Sequence, residues 1–234
     1  MKVEIWSDIV CPFCYVGKRR FEQALATFPH AETVEVVWRS FELTPDYQPV
    51  PGRTVYESLA EKKGIPVAQA KEMSDYMATV AQEVGLRYDF DRAVPTNTFL
   101  GHQLIHFAAH HGRQGEAKER LLAAYYLEGQ NLNEIDTLVK LATELGLDAA
   151  DARTALLAGT YAEAVRHDEY QAQQINVRGV PFFVFEDKYA VSGAQPAELF
   201  SEVLAKVWEE AQPAKPLPVM LADGAACGPD GCAV

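Results

Sequence analysis

The sequence predicts an α/β protein in which a single unit is interrupted by a large all-helical insertion. Three observations carry that reading. Short strand-like runs occur only near the two ends of the chain, and helical periodicity fills the middle. The third is composition: 234 residues with 48% hydrophobic and 23% charged side chains are the balance of a globular chain that buries a core without disulfide staples. The β-containing ends are each too small for a core of their own, so they must meet. The expected division is a discontinuous α/β domain over residues 1–50 and 160–211, a helical insertion over 51–159, and a flexible tail over 212–234.

Each element has a local reason. Val3 and Ile5 alternate with Lys2 and Glu4, a period-2 strand running into the loop from Ser7 to Val10. Phe21, Ala24, Leu25 and Phe28 then fall at helical spacing, and Pro29 ends the helix. Val34, Val36 and Trp38 mark a second, more buried strand. From about Arg53 to Thr160 glycines punctuate a run of helices. Ala70, Met73, Met77, Val80, Ala81 and Val84 share one stripe; Leu138, Leu141, Ala142 and Leu145 share another behind an Asn133 or Asp136 cap. A helix over 161–175, strands at Phe182 to Phe185 and Tyr189 to Val191, and a helix from Pro196 to about Glu210 complete the α/β unit. The prolines and small residues after Gln212 read as an extended tail.

Charge narrows the function. Lys plus Arg is 21 against Asp plus Glu 33, a net charge of −12, so nucleic-acid phosphates and anionic membranes are repelled. No run approaches the roughly 20 apolar residues of a membrane span. Met1 leads directly into an acidic alternating strand, without a signal peptide's basic and apolar regions, so a cytoplasmic protein is expected. In that reducing compartment, closely spaced cysteines are first judged as redox or metal groups. All four here are paired: Cys11 with Cys14, and Cys227 with Cys232.

Cys11-Pro12-Phe13-Cys14 sits where a strand gives way to a helix. Free amides and the positive end of the helix dipole would stabilise a thiolate at Cys11, read as the more exposed nucleophile. Cys14, one turn further in, is placed to resolve a mixed disulfide. The competing reading is half a zinc site, but the other cysteine pair is far away on the tail.

The run Ser7-Asp8-Ile9-Val10-Cys11-Pro12-Phe13-Cys14-Tyr15-Val16-Gly17, the helical insertion, and the distant Gly179-Val180-Pro181-Phe182-Phe183-Val184 together resemble the DsbA-like branch of the thioredoxin superfamily. Within it the chain most resembles the cytoplasmic FrnE-type oxidoreductases. The resemblance covers about residues 2 to 211. It implies a thioredoxin fold, a cis-proline at Pro181 facing the dithiol, and backbone groups of Val180 offered to a bound substrate strand. Pro12-Phe13 departs from the Pro-His dipeptide of strongly oxidising relatives, so Cys11 lacks an imidazolium neighbour and a less oxidising couple is expected. Phe13 presents an apolar ring suited to an extended polypeptide.

Asn97 and His102 lie in a segment, Pro95 to Leu104, similar to one in that subfamily, and both are candidate substrate-binding residues. Gly101 and Gln103 replace its Ala and Arg, which weakens the case for a carboxylate-bearing ligand such as glutathione. Thr96 or Asn97 is more simply a helix N-cap. His102, His106 and His110 recur every four residues, yet no carboxylate joins them at metal-site spacing, and no metal is expected. Cys227-Gly228-Pro229-Asp230-Gly231-Cys232 places a turn between two thiols. That pair reads as a second redox pair, an inert tail or a soft-metal ligand.

The expected function is thiol–disulfide oxidoreduction on cysteine-containing polypeptides, including isomerisation, with no bound cofactor. Glutathione or another cellular thiol is the candidate reductant. One alternative is a glutathione-dependent enzyme resembling 2-hydroxychromene-2-carboxylate isomerase or the kappa-class transferases, against which the resolving Cys14 argues. The other is a non-enzymatic peptide-binding or metal-buffering protein.

Overall fold

Strands β1 (Lys2–Ser7), β2 (Glu35–Ser40), β3 (Phe182–Phe185) and β4 (Tyr189–Ser192) form one mixed sheet in the order β2-β1-β3-β4. The computed structural model describes residues 1–211 and the backbone of two short tail strands, β5 (Cys227–Gly228) and β6 (Gly231–Cys232). β1 and β2 are parallel, as a crossover through helix α1 (Pro12–Thr27) requires, whereas β3 is antiparallel to both β1 and β4. Glu186 and Asp187, at φ 48° and 53°, make the tight turn of the β3–β4 hairpin.

Alternation decides what covers each face. Val3 and Ile5 of β1 lie opposite Phe185 and Phe183 of β3. These four face α1 and helix α9 (Ala197–Ala211), where Phe21 meets Phe183 and Phe200 at centroid distances of 5.7 Å. Each buried phenylalanine contributes on the order of 1.5–3 kcal/mol. On the other face Trp6 lies opposite Phe182 and joins Ala172 and Val177 under helix α8 (Ala162–Gln174). Asp168 of α8 is buried there and holds Arg39 at 3.0 Å, while Arg39 also pairs with Glu4.

Helices α2 (Val55–Lys63), α3 (Val67–Gln82), α4 (Phe99–Ala109), α5 (Gln114–Tyr126), α6 (Ile135–Glu144) and α7 (Ala149–Ala158) lie between β2 and α8 in the chain. Thr54 and Glu57 cap α2 reciprocally, and Asp148 caps α7. α4 is nearly all buried and packs on α5, α6, α7 and α8. α5 lies along β2. There Gln114 accepts from the Trp38 amide at 3.0 Å and donates to the Trp38 carbonyl at 2.9 Å, closing part of the sheet edge.

Three local expectations are corrected. β2 is an edge strand with Glu35 exposed and Val36 and Val37 only half-buried, because it is the end strand of the sheet. In α3 the buried stripe is Ala70, Ser74, Met77 and Ala81; Met73 points outward, one position off the core-facing line. α6 begins after Glu134 with no side-chain cap, since Asn133 instead donates to the Pro95 carbonyl. In the tail, β5 and β6 pair antiparallel with Cys227 opposite Cys232, as the sequence between them leads one to expect. Their side chains and the rest of the expected flexible tail over 212–234 lie outside the described residues.

Candidate active site

β1 ends at Ser7, and the chain turns through Asp8, Ile9 and Val10 to reach Cys11, the N-cap of α1. Pro12 suits the first helical position, where an N–H would have no partner and the helical φ is already set. Cys14 closes the first turn, its amide donating to the Cys11 carbonyl at 3.0 Å. Both thiols are free and buried, Cys11 at 4% exposure and Cys14 at 1%, so Cys11 is not the markedly more open of the two.

The opposite wall comes from the other end of the chain. The Val180–Pro181 peptide is cis, and the Val180 carbonyl accepts from the Cys11 thiol at 3.4 Å. Pro181 is buried against α1: a Cβ at Gly17 would come within 2.8 Å of its Cγ, so glycine is what lets this loop lie on the helix. Phe13 stands 45% exposed beside the thiols, and Pro12 and Val180 are half-buried. Tyr88, stacked on Tyr126, donates to the Pro12 carbonyl at 2.8 Å and ties the helical insertion to the motif.

Behind the thiols the surroundings are polar. Asp8 is fully buried, accepting from the Ile9 amide at 2.7 Å and the Leu43 amide at 2.8 Å, with His102 Nε2 at 3.3 Å. Hydrogen bonding to His102 holds its carboxyl below the ordinary value against the opposing effect of burial. Burial pushes the His102 imidazole down, towards neutrality. Lys118, on α5, is 1% exposed and donates to the Ser7 carbonyl at 3.1 Å; burial lowers its ammonium to about 8.

The two thiols are shifted in opposite directions, Cys11 upward and Cys14 downward. Its hydrogen bond to Cys14, burial, and the nearby charges of Cys14 and Asp8 push Cys11 well up. Burial would raise Cys14 too, but the Cys11 thiol, the Lys118 charge and the Ser7 hydroxyl outweigh it and bring Cys14 down. The expected thiolate at Cys11 is thus opposed by Asp8 and by the Val180 carbonyl, neither of which the strand-to-helix junction reveals.

A family model described as a DsbA-like thioredoxin domain matches residues 2–205. The chain belongs to the DsbA-like thioredoxin family. Its fold is correspondingly a DsbA-like thioredoxin fold with large helical content, similar to a probable DsbA oxidoreductase, SCO1869, from Streptomyces coelicolor at TM-score 0.85 and 44% identity, covering 100% of this chain and 99% of that one. The uncharacterized protein YwbO of Bacillus subtilis (strain 168) is 30% identical over 208 residues, 87% of this chain and 95% of its own. The cytosolic disulfide reductase DsbM from Pseudomonas aeruginosa shares the fold at TM-score 0.64 and 17% identity, covering 90% of this chain and 100% of that one.

In this DsbA-like frame, Cys11, Cys14, Pro12, Phe13, Val180 and Pro181 converge, whereas the side chains of Asn97 and His102 turn to other partners. His102 is 1% exposed and turned to Asp8, because its stripe of α4 faces the protein interior. Asn97 spends its carboxamide on backbone: it accepts from the Phe99 amide at 3.0 Å and donates to the carbonyls of Pro45 at 3.0 Å and Tyr47 at 3.1 Å. That is the cap-like role, one residue ahead of the Thr98 N-cap. His106 faces Asp168 at 3.0 Å and His110 lies against Tyr161, so the histidine stripe splits. Among the described residues no three metal-ligating groups converge. Sequence reasoning missed Asp8, Tyr88 and Lys118. For Lys118 the available signal was a lysine on the apolar stripe of Ala117, Leu121, Leu122 and Tyr125.

Proposed function

We propose that this DsbA-like protein is a thiol–disulfide oxidoreductase, of the FrnE type, that acts on protein disulfides and dithiols through Cys11 and Cys14. The observation that carries the reading is the pairing of two free thiols at the α1 N-terminus with the Val180 carbonyl 3.4 Å from Cys11 Sγ. An extended substrate strand beside Val180 and Pro181 would present its sulfur to Cys11 while Phe13 contacts its side chains. In the reductive direction Cys11 gives up its proton to the Cys14 sulfur and attacks one substrate sulfur as the thiolate, and the other substrate sulfur leaves as a thiolate. Cys14 then attacks Cys11, forming the Cys11–Cys14 disulfide and releasing the reduced substrate. Isomerisation follows when Cys11 is released by a substrate thiol before Cys14 attacks.

The sulfurs hold the electrons, so the cycle needs no bound cofactor. A cytoplasmic thiol such as glutathione would return the pair to the reduced state. Cys227 and Cys232, directly opposed in the β5–β6 ladder, are read as a second dithiol for that exchange. The presence of Cys14 disfavours the glutathione-dependent isomerase alternative, whose chemistry needs no resolving thiol. Cys11→Ser should abolish insulin-disulfide reduction, and Cys14→Ser should accumulate mixed disulfides with substrate. Full activity in Cys11→Ser would overturn the assignment.

A further inference from the structure

Resolution of the mixed disulfide poses an electrostatic problem that the motif itself does not solve. Once Cys11 is bonded to substrate it has no proton to share, so Cys14 loses the hydrogen bond that stabilised its thiolate in the reduced pair. It must ionise in a setting where it is 1% exposed and where burial raises a thiol. Asp8, one residue beyond β1, adds negative charge on the same side.

Lys118 brings a positive charge to that side. Its side chain is buried, and its Nζ reaches the last carbonyl of β1, Ser7, at 3.1 Å. It lies 5.6 Å over the Trp38 ring. Among the described residues no carboxylate comes within 4.0 Å of it, so its charge is not cancelled by a direct partner. Such an amine costs several kcal/mol to bury without a compensating field. The charged and titratable groups facing it are Cys14, Cys11 and Lys18 from the α1 side, Asp8 from the loop after β1, and His102 from α4. Among them Cys14 is the largest influence that favours the ammonium, and Lys118 in turn lowers Cys14.

We propose that Lys118 is a positioning residue for the second half of the reaction: its buried ammonium holds Cys14 as the thiolate that attacks the Cys11–substrate disulfide. This rests on the oxidoreductase reading above. The Cys14 thiolate forms the bond to Cys11 Sγ, the bond from Cys11 to the substrate sulfur breaks with its electron pair on the substrate, and that thiolate takes a proton from solvent. The enzyme pair is oxidised by two electrons and the substrate reduced by the same two. The Lys118 charge is then left without its thiolate.

Two measurements test this. In Lys118→Met, which keeps the volume and removes the charge, resolution of a preformed Cys11–peptide mixed disulfide should slow roughly tenfold at pH 7 per unit by which Cys14 rises, and recover at higher pH. Formation of that mixed disulfide in a Cys14→Ala background should be changed far less by the same substitution. A resolution rate and pH profile equal to the unsubstituted protein would overturn the proposal. Absence of any mixed disulfide in the Cys14→Ala background would instead overturn the oxidoreductase reading. Should Lys118→Met fail to fold, 13C NMR of lysine side chains in the unsubstituted protein gives the reciprocal test. The Lys118 amine should titrate at lower pH in the oxidised than in the reduced protein, and identical titrations would sink the idea.

Discussion

Asp8 and Asp168 are both buried carboxylates, and each faces a histidine of the same helix, His102 and His106, one turn apart on α4. Their surroundings differ in one respect. Asp168 also holds Arg39 at 3.0 Å and accepts from the Ser40 amide at 2.8 Å, so a permanent cation neutralises it. Asp8 has backbone amides and His102, whose imidazole burial pushes towards neutrality, and among the described residues no arginine or lysine within ion-pair distance. The same pair of side chains therefore does two jobs. Compensated, it fastens α8 and α4 to the sheet; uncompensated, it leaves a negative charge that Cys11 feels.

The contrast can be broken by stability measurements. Asp168→Asn leaves Arg39 with Glu4 as its remaining partner and removes the buried charge that Arg39, His106 and the Ser40 amide share, and should cost about 3 kcal/mol in urea denaturation, the range for breaking a buried pair. Asp8→Asn keeps one oxygen, enough for either the Ile9 amide or the Leu43 amide but not both, and should cost less, about 1–2 kcal/mol. Its larger effect should be on the thiols: with the Asp8 charge gone, Cys11 titrates lower and the couple becomes more oxidising, read from equilibrium with glutathione. Equal destabilisation in the two variants with unchanged thiol titration would erase the distinction.

A subtler difference is the dependence on pH. Burial depresses His102, so between its unfolded value, about 6.5, and its lower folded value the unfolded chain binds the extra proton and stability falls as pH falls. Glu42 acts in the opposite sense, because burial raises it to about 7 and its contribution fades as pH rises from the ordinary carboxylate range towards 7. His102→Gln should flatten the loss of stability on acidification below about pH 6.5, by at most about 1.4 kcal/mol per pH unit. An unchanged slope would mean that His102 keeps its proton beside Asp8. The smallest expected stability effect is at the front of the site. Phe13→Ala should leave stability within about 0.5 kcal/mol and raise KM for a peptide disulfide, whereas a loss of stability would place Phe13 in the fold rather than the groove.

Front and back of the site also differ in how far they were legible. The front is built from consecutive residues at a strand end, Cys11 to Cys14, which local chemistry exposes, and from Val180-Pro181, which the family resemblance marked out. The back is assembled from α4 and α5, and its residues look ordinary in sequence. Lys118 belongs to a helix with several charged neighbours, and His102 to a histidine series that suggested a ligand or a metal. What separates them is the direction each faces, which depends on tertiary packing. The edge position of β2 was hidden for a related reason: strand order arises from which segments meet, and alternation within one segment carries no record of it.

The two walls of the thiol site, Cys11 and Val180, are separated by 169 positions along the chain. At typical synthesis rates that interval lasts roughly 10–30 s, during which the cysteines exist without the loop that will face them. β1 can pair with β2 early, but β3, which completes the centre of the sheet, comes only near the end, followed by β4. A nascent chain therefore carries both thiols before it carries the wall that covers them, and the Val180 carbonyl meets Cys11 only when the carboxyl-terminal strands dock.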